Sequence, residues 1–462
     1  MPIQLATARA GLLSACPAIL RKYADRIDAS PTGKRLVRGM FWSVAGVVIA
    51  RGLGVISSIV VARWIGRTAY GELGILQSTV TMFQVFGGLA IGVTATKHVA
   101  EFRQADRHRA GRIIGICYLV ALLAGTLLAV GLVVAAPWLA TRTLAAPQIA
   151  PLLRIGALLL FLGALGSAQS GALAGFEAFK DIARVSFWSG ILSFPVTLVG
   201  VFWQGLTGVV WALVATMAIT CGLNEFVVRR VTQENGCRIR FRHAFSEGHM
   251  LWRFTLPSIL GGAMVAPVTW GCNAILVNRP GGYAEMGIYN AANQWYGAIL
   301  FLPGVLSQVL LPVLSERLGQ KDLGQSGRLL RISALINAVV VAPFVILGSV
   351  LSAHIMRSYG NGFGGGWATL VVVLLTAGLL AIQTPVGQVI AASGRMWMGF
   401  GLNLCWGAVV LLSTWSMVRW GALGLALSRL IAYAVLGAAT LWVVHRFFGR
   451  EDVNGEHHVG AE

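Results

Sequence analysis

Apolar positions along this chain follow neither the alternation of a strand nor the single stripe of a surface helix. They run on for twenty or so residues, halt at a short turn of glycine, proline or charge, and begin again. Met40 to Ala62 carries one charge, Arg51, and Leu73 to Thr96 carries none. A helix needs about 20 apolar residues to cross the hydrocarbon core of a bilayer. Windows bounded in this way fall near 40–62, 73–96, 112–136, 152–175, 182–203, 207–228, 251–277, 287–311, 331–353, 368–391, 397–418 and 421–445. The pattern predicts an all-α membrane protein of about twelve transmembrane helices.

The pattern also repeats. "ARWIGRTAYGELGILQ" (Ala62 to Gln77) has an echo in "VNRPGGYAEMGIYN" (Val277 to Asn290), which pairs Tyr70 with Tyr283, Gly74 with Gly287 and Gln77 with Asn290. Three more landmarks keep nearly the same offset. "GRIIG" from Gly111 pairs with "GRLLR" from Gly327, "QSGALAG" (Gln169 to Gly175) with "QVIAASG" (Gln388 to Gly394), and "GLTGVVWAL" from Gly205 with "GALGLALSR" from Gly421. Two units of six spans each share one orientation, so the copies are expected as two pseudo-symmetric six-helix bundles related by an axis along the membrane normal, with a carried substrate between them near the midplane. The expected division is a cytoplasmic tail at 1–38, a first lobe at 39–230 with spans 1–6, an inter-lobe loop at 231–250, a second lobe at 251–446 with spans 7–12, and a tail at 447–462.

Composition agrees with the windows: of 462 residues 56% are hydrophobic and 11% charged, with a mean hydropathy of +0.74, against about 25% charged residues in soluble domains. The formal charge of +19 lies in the connections between windows, which argues for orientation in a membrane and against a nucleic-acid partner. All but nine of the Lys and Arg residues fall in the N-terminal tail, the even-numbered connections and the C-terminus. Seven of the exceptions are Arg63, Arg67, Arg142, Arg154, Arg279, Arg357 and Arg419, in the other connections. That bias puts both termini in the cytoplasm. The apolar stretch "AGLLSACPAIL" near the N-terminus precedes its charges, the reverse of a secretory signal. Six scattered cysteines with no CxxC pair speak against disulfide frameworks and zinc sites.

The remaining two exceptions, Arg51 and Arg429, lie inside windows. Charges inside a bilayer are costly and mark pathways or partners. No carboxylate falls at the middle of a window, so the expected cavity is cationic and suits an anionic substrate, with guanidinium as the natural partner of phosphate. Arg51 is near the middle of span one and its repeat counterpart is Met264, which favours it as the working charge. Arg429 is nearer the outer surface, where a long side chain can instead reach the interface. Gln77 and Gln84 are spaced to share one face of span two, and Asn290 and Gln294 one face of span eight. With Asn273, these amides could bond sugar hydroxyls or simply join helices. Lys97 and His98 end span two on the cytoplasmic side, where they could meet a substrate head group, although the positive-inside bias already explains them. "YGNGFGGGW" (Tyr359 to Trp367) lacks the phosphate-loop pattern and is expected to be a flexible external loop. No nucleophile–base or metal-ligand constellation stands out, so a non-enzyme without cofactor is expected.

"GVISSIVVARWIGRTAYGELGILQSTVTMFQVFGGLAIG" (Gly54 to Gly92) with the basic "KHVAEF" after it resembles the first helix hairpin of the Wzx-type polysaccharide flippases of the MOP exporter superfamily. "SGALAGFEAFK" (Ser170 to Lys180) and "SYGNGFGGGWATL" (Ser358 to Leu370) resemble that family's fourth and tenth helix regions. The resemblance covers about 35 to 447. It implies a bacterial inner-membrane protein that moves a polyprenyl-diphosphate-linked oligosaccharide from the cytoplasmic to the periplasmic leaflet by alternating access, with a polysaccharide polymerase and chain-length regulator as candidate partners. A multidrug/cation antiporter, a lipid II flippase and a non-transport scaffold of polysaccharide assembly are the alternatives. The membrane potential would assist outward passage of a diphosphate, and no deep carboxylate marks a site for H+ or Na+ coupling.

Overall fold

The computed structural model describes residues 31–87, 89–237, 239, 264–319, 323–392 and 396–455. The N-terminal tail before Pro31, most of the inter-lobe loop, the first half of the window at 251–277 and the last residues of the C-terminal tail lie outside them. Every described element is helical: α1 Pro31–Gly87, α2 Leu89–Phe102, α3 Arg107–Trp138, α4 Ala150–Gly175, α5 Phe179–Glu234, α6 Val265–Val277, α7 Gly282–Gly319, α8 Leu323–Val350, α9 Ser352–Ser358, α10 Trp367–Ala392, α11 Met396–Met417 and α12 Gly421–Gly455. These labels do not map one to one onto membrane spans. Among the described residues six stretches are long and apolar enough to cross a bilayer, and Ala50–Gly87 with Ile91–Phe102, bent by 41° at the break between them, counts as a seventh. Two of the six, Phe179–Glu234 and Met398–Trp442, each hold a hairpin. α7 carries Glu285, Asn290, Asn293 and Gln294 in its first half.

Single glycines make the hairpins. α1 breaks at Gly66 (φ 81°, ψ 172°). Ser58 and Tyr70, on either side of the break, both reach Tyr359, whereas twelve residues of continuous helix would hold them about 18 Å apart. α5 breaks at Gly205 (φ 56°, ψ −128°), and Ser189 then bonds Thr220 across the paired limbs. α12 begins at Gly421 (φ 60°, ψ −134°) after a 3-10 turn at Val418–Trp420. Gly205 and Gly421 are the pair aligned by the sequence repeat, and their backbones adopt one conformation that side-chain-bearing residues avoid. The duplication is therefore structural as well as sequential. Gly71, by contrast, does not turn the chain. It lies within the helix after Gly66 and serves close packing.

The first half of the chain, α1 to α5, packs as one group of helices and α6 to α12 as another, and the two meet mainly through α1 against α6 and α7. Among the described residues six turns, at Gly66, 143–148, Gly205, 278–281, 359–366 and 418–421, gather at one end, here called the turn end. Gln148 donates to Glu72 at 3.1 Å, Asn278 to the Thr143 carbonyl at 2.6 Å, Arg67 to the Gly362 carbonyl at 3.2 Å, and the Ala422 amide to Glu285 at 2.9 Å, while Trp64 and Phe202 stack edge-on with centroids 4.6 Å apart.

The glycine-rich stretch expected to be a flexible external loop is instead part of this closure. Tyr359 and Phe363 are fully buried, at 0% and 1% exposure. Tyr359 lies between the halves: its hydroxyl accepts from Trp295 at 3.2 Å and meets Ser58 at 3.3 Å, and its ring joins Tyr70 and Phe363. The glycines let the loop bend tightly, with Gly360 and Gly362 at positive φ, so that its two aromatics turn inward and add to the core.

Candidate functional site

Arg51 and Arg429 come from opposite halves of the chain, and the structure brings both to α7. Arg51 lies fifteen residues before Gly66, about 22 Å below the turn end by helical rise. It is exposed, and its guanidinium carbon stands 5.8 Å from the centre of the Phe301 ring. Arg429 lies eight residues after Gly421, about 12 Å below the same end. Its guanidinium stacks 4.4 Å from the centre of the Tyr296 ring while Nη1 donates to the Tyr289 hydroxyl at 2.8 Å and to Asn293 Oδ1 at 2.9 Å.

Tyr289, Asn293 and Tyr296 follow one another at helical spacing and share a side of α7. Phe301 is turned roughly 120° from Tyr289 about the helix axis, and only about 7.5 Å separates Tyr296 from Phe301 along it. Gly297 is angularly between them, exposed, with open space where a side chain would stand. The two guanidiniums thus flank one strip of α7. Among the described residues no carboxylate pairs with either. Arginine keeps its charge under any physiological condition. The tyrosine and amide partners of Arg429 supply hydrogen bonds without neutralising it, so the strip presents net positive charge.

The polar residues expected to line a cavity divide into groups. Asn273 donates to Ser78 at 2.8 Å, and Asn290 to the Tyr70 carbonyl at 3.4 Å against Gly74. Gln294 lies beside the Tyr70 hydroxyl. These three cross from the second half to the first and hold the closure at the turn end. Gln77 is half-buried. Gln84, seven residues on, is half-buried as well. It turns into the first half, donates to the Leu159 carbonyl at 3.3 Å and packs over Gly163, which leaves room for the amide. Lys97 is exposed and His98 half-buried at the far end of α2, where His98 Nδ1 meets Glu101 at 3.2 Å. The emphasis on Arg51 over Arg429 also shifts, because Arg429 is the arginine that the fold fixes in place.

One polar cluster has no counterpart in the sequence reading. Glu225, toward the far end of α5, accepts from Tyr118 at 2.9 Å, Gln169 at 3.2 Å and Arg229 at 2.7 Å. The cluster borders a cavity of about 1150 Å³ within the first half, also lined by Cys221, Thr232 and Cys237. Glu225 and Arg229 are spaced for a helical ion pair, which is legible in sequence. Tyr118 and Gln169 reach Glu225 from two other helices, and nothing local in the chain points to that.

The family model described as "Polysaccharide biosynthesis protein" matches residues 36–317. The chain is 26% identical over 407 residues to the EPS I polysaccharide export inner membrane protein EpsE of Ralstonia nicotianae, covering 85% of this chain and 90% of that one. It is 25% identical over 423 residues to the succinoglycan biosynthesis transport protein ExoT of Rhizobium meliloti, covering 89% and 81%. Among solved structures, an inward-facing multidrug resistance MATE family transporter of the MOP superfamily superposes with a TM-score of 0.71 at 14% identity, over 90% of this chain and all of that one. The lipid II flippase MurJ in its inward closed conformation gives 0.67 at 15% identity, over 87% of each. The fold is that of the MOP superfamily, and the chain belongs to the polysaccharide biosynthesis protein family.

Proposed function

We propose that this protein carries a polyprenyl-diphosphate-linked oligosaccharide from the cytoplasmic to the periplasmic leaflet of the bacterial inner membrane by alternating access. The observation that carries the reading is the place of Arg51. It is an exposed cation with no carboxylate partner among the described residues, well inside the apolar length of α1, and it reaches toward Phe301 of the opposite half. A diphosphate is the class of ligand that a guanidinium binds bidentately, and the lipid tail can stay in the bilayer while the glycan follows the strip along α7. The relatives EpsE and ExoT, by name a polysaccharide export protein and a biosynthesis transport protein, support this class of cargo.

The bias of Lys and Arg puts the turn end in the periplasm and the termini in the cytoplasm. The closure through Tyr359, Phe363, Gly71 and Gly287 is then the periplasmic side, and export requires it to part. An inside-negative potential favours outward movement of the diphosphate by about 2.3 kcal/mol per charge per 100 mV. A cation antiporter would want a carboxylate on the strip, where the two charges found are arginines. Glu225 borders the cavity within the first half, and Arg229 already pairs with it.

The test is Arg51→Ala in a strain whose surface polysaccharide depends on this gene. The expected outcome is loss of surface polysaccharide and accumulation of lipid-linked oligosaccharide in the inner leaflet at normal protein level. Full surface polysaccharide would remove the diphosphate role.

A further inference from the structure

We infer that the groove of the first half, between α3 and the far limb of α5, binds a membrane phospholipid whose zwitterionic head group ends in a primary ammonium, as in phosphatidylethanolamine. Such a lipid belongs to the surrounding bilayer and is independent of the proposed cargo. α4 packs against both α3 and α5, which scarcely touch each other, so the cavity of about 1150 Å³ runs over α4 between them. Ser167, Gly171 and Gly175 of α4 pack against α2, whereas Gln169, which lines the cavity, is turned roughly 160° from them about the helix axis. The groove thus lies on the far side of α4 from α2, and among the described residues none of the second half lines it. Exposed apolar side chains flank it, Leu123 and Leu127 on α3 and Phe226 on α5, as on a surface that meets acyl chains.

The lining changes from apolar to polar along α5. Leu122, Leu165 and Gly222 wall the deeper part. Gly222 is exposed and a Cβ there would meet open space, which leaves room for a chain. About one turn further on, Glu225 and Arg229 lie side by side, with Nε donating to Oε1 at 2.7 Å. The Arg229 side chain is largely exposed, and its Nη groups are left to bind a phosphate. A second guanidinium stands at the mouth, where a Cβ on Gly236 would lie 3.2 Å from Arg107 Nη1.

The other side of the ion pair offers acceptors. Gln169 is 1% exposed; its Nε2 donates to Glu225, and its Oε1 has no donor. Glu225 Oε1 accepts from Arg229 alone, because Tyr118 and Gln169 both use Oε2. A buried acceptor without a donor is costly, and a primary ammonium brings three donors and no acceptor. Glu225 and Arg229 together carry no net charge, so the pair favours neither an anionic lipid nor a lone cation. A zwitterion laid antiparallel to it satisfies both members, with the phosphate at the guanidinium and the ammonium at Gln169 and Glu225.

The experiment titrates the purified full-length protein in detergent with phosphatidylethanolamine, phosphatidylcholine and phosphatidylglycerol of identical acyl chains, and counts bound lipid by native mass spectrometry. Phosphatidylcholine keeps the phosphate and the positive charge, but its trimethylated nitrogen has no N–H to donate. Phosphatidylethanolamine is expected to bind about tenfold more tightly than either of the others. Glu225→Gln should bring it down to the level of phosphatidylcholine. Gly222→Leu, which fills the groove without touching the polar cluster, should weaken all three lipids. Gly131→Leu, at an exposed position of α3 that also faces open space, should change none. Equal binding of phosphatidylethanolamine and phosphatidylcholine by the unmodified protein overturns the inference without any variant. Tighter binding of phosphatidylglycerol overturns it by reducing the groove to a basic surface patch. A preference that survives both Glu225→Gln and Gly222→Leu overturns it by placing the lipid elsewhere. None of the probes carries a diphosphate or a glycan, so these outcomes and those of the Arg51→Ala test are independent.

Discussion

Gly71 and Gly287 meet backbone to backbone where α1 crosses α7. A Cβ on Gly71 would overlap the carbonyl oxygen of Tyr283, and one on Gly287 would overlap the carbonyl oxygen of Arg67. Both glycines belong to the stretches that the sequence writes twice, so the two copies of the motif are each other's packing partners. Close approach through small residues is how helices associate where lipid removes the hydrophobic drive.

Gly71→Val should therefore force the halves apart at the turn end. Overpacking of this kind costs about 1–3 kcal/mol, and the thermal midpoint of the purified protein should fall. Gly52→Ala is the control, because a Cβ at Gly52 meets open space and alanine favours a helix by about 0.5–1 kcal/mol over glycine. If the two variants melt alike, the contact contributes nothing to the closure.

Tyr359→Ala should open the same end from the other side. Removing a fully buried aromatic costs about 3–5 kcal/mol, and it strands the Trp295 indole donor. A cysteine placed at Ser58 in a cysteine-depleted chain should resist a membrane-impermeant thiol reagent in the parent and react readily in the Tyr359→Ala background. Equal labelling in both would show that Tyr359 does not shield the cleft.

Gly205→Ala and Gly421→Ala test the repeat at the level of backbone energy. The two glycines share a conformation that costs a side-chain-bearing residue about 1–3 kcal/mol, so both variants should lose stability. The loss should be larger at Gly421, where a Cβ also meets the Glu285 carboxylate, than at Gly205, where nothing lies within 4 Å. A larger loss at Gly205 would contradict this account, and thermal unfolding in detergent measures the order directly.

The windows at 112–136 and 152–175 could be read from sequence because each depends on its own residues alone: in a bilayer every backbone polar group must be satisfied within the helix. The duplication was legible for a similar reason, since Gly205 and Gly421 are local necessities of two identical turns. The loop at Tyr359 to Trp367 was misread because glycine supplies two opposite signals. It permits flexibility in isolation, yet it also allows the tight bend that sends Tyr359 and Phe363 into the core.

The candidate site divides in the same way. Sequence alone placed Arg51 and Arg429 inside apolar windows and no carboxylate at the middle of one, because that depends only on position within an apolar run. It also placed Gln77 and Gln84 on one helical face, but it could not say what either would meet. Only the tertiary structure decided that Gln84 bonds Leu159, that Asn273 and Asn290 bridge the halves, and that two arginines 378 positions apart in the chain flank one strip of α7. Those outcomes depend on how each helix is rotated about its axis and which neighbour it packs against. Apolar runs open to packing on every side carry little record of that rotation, so the packing of the two halves sets it.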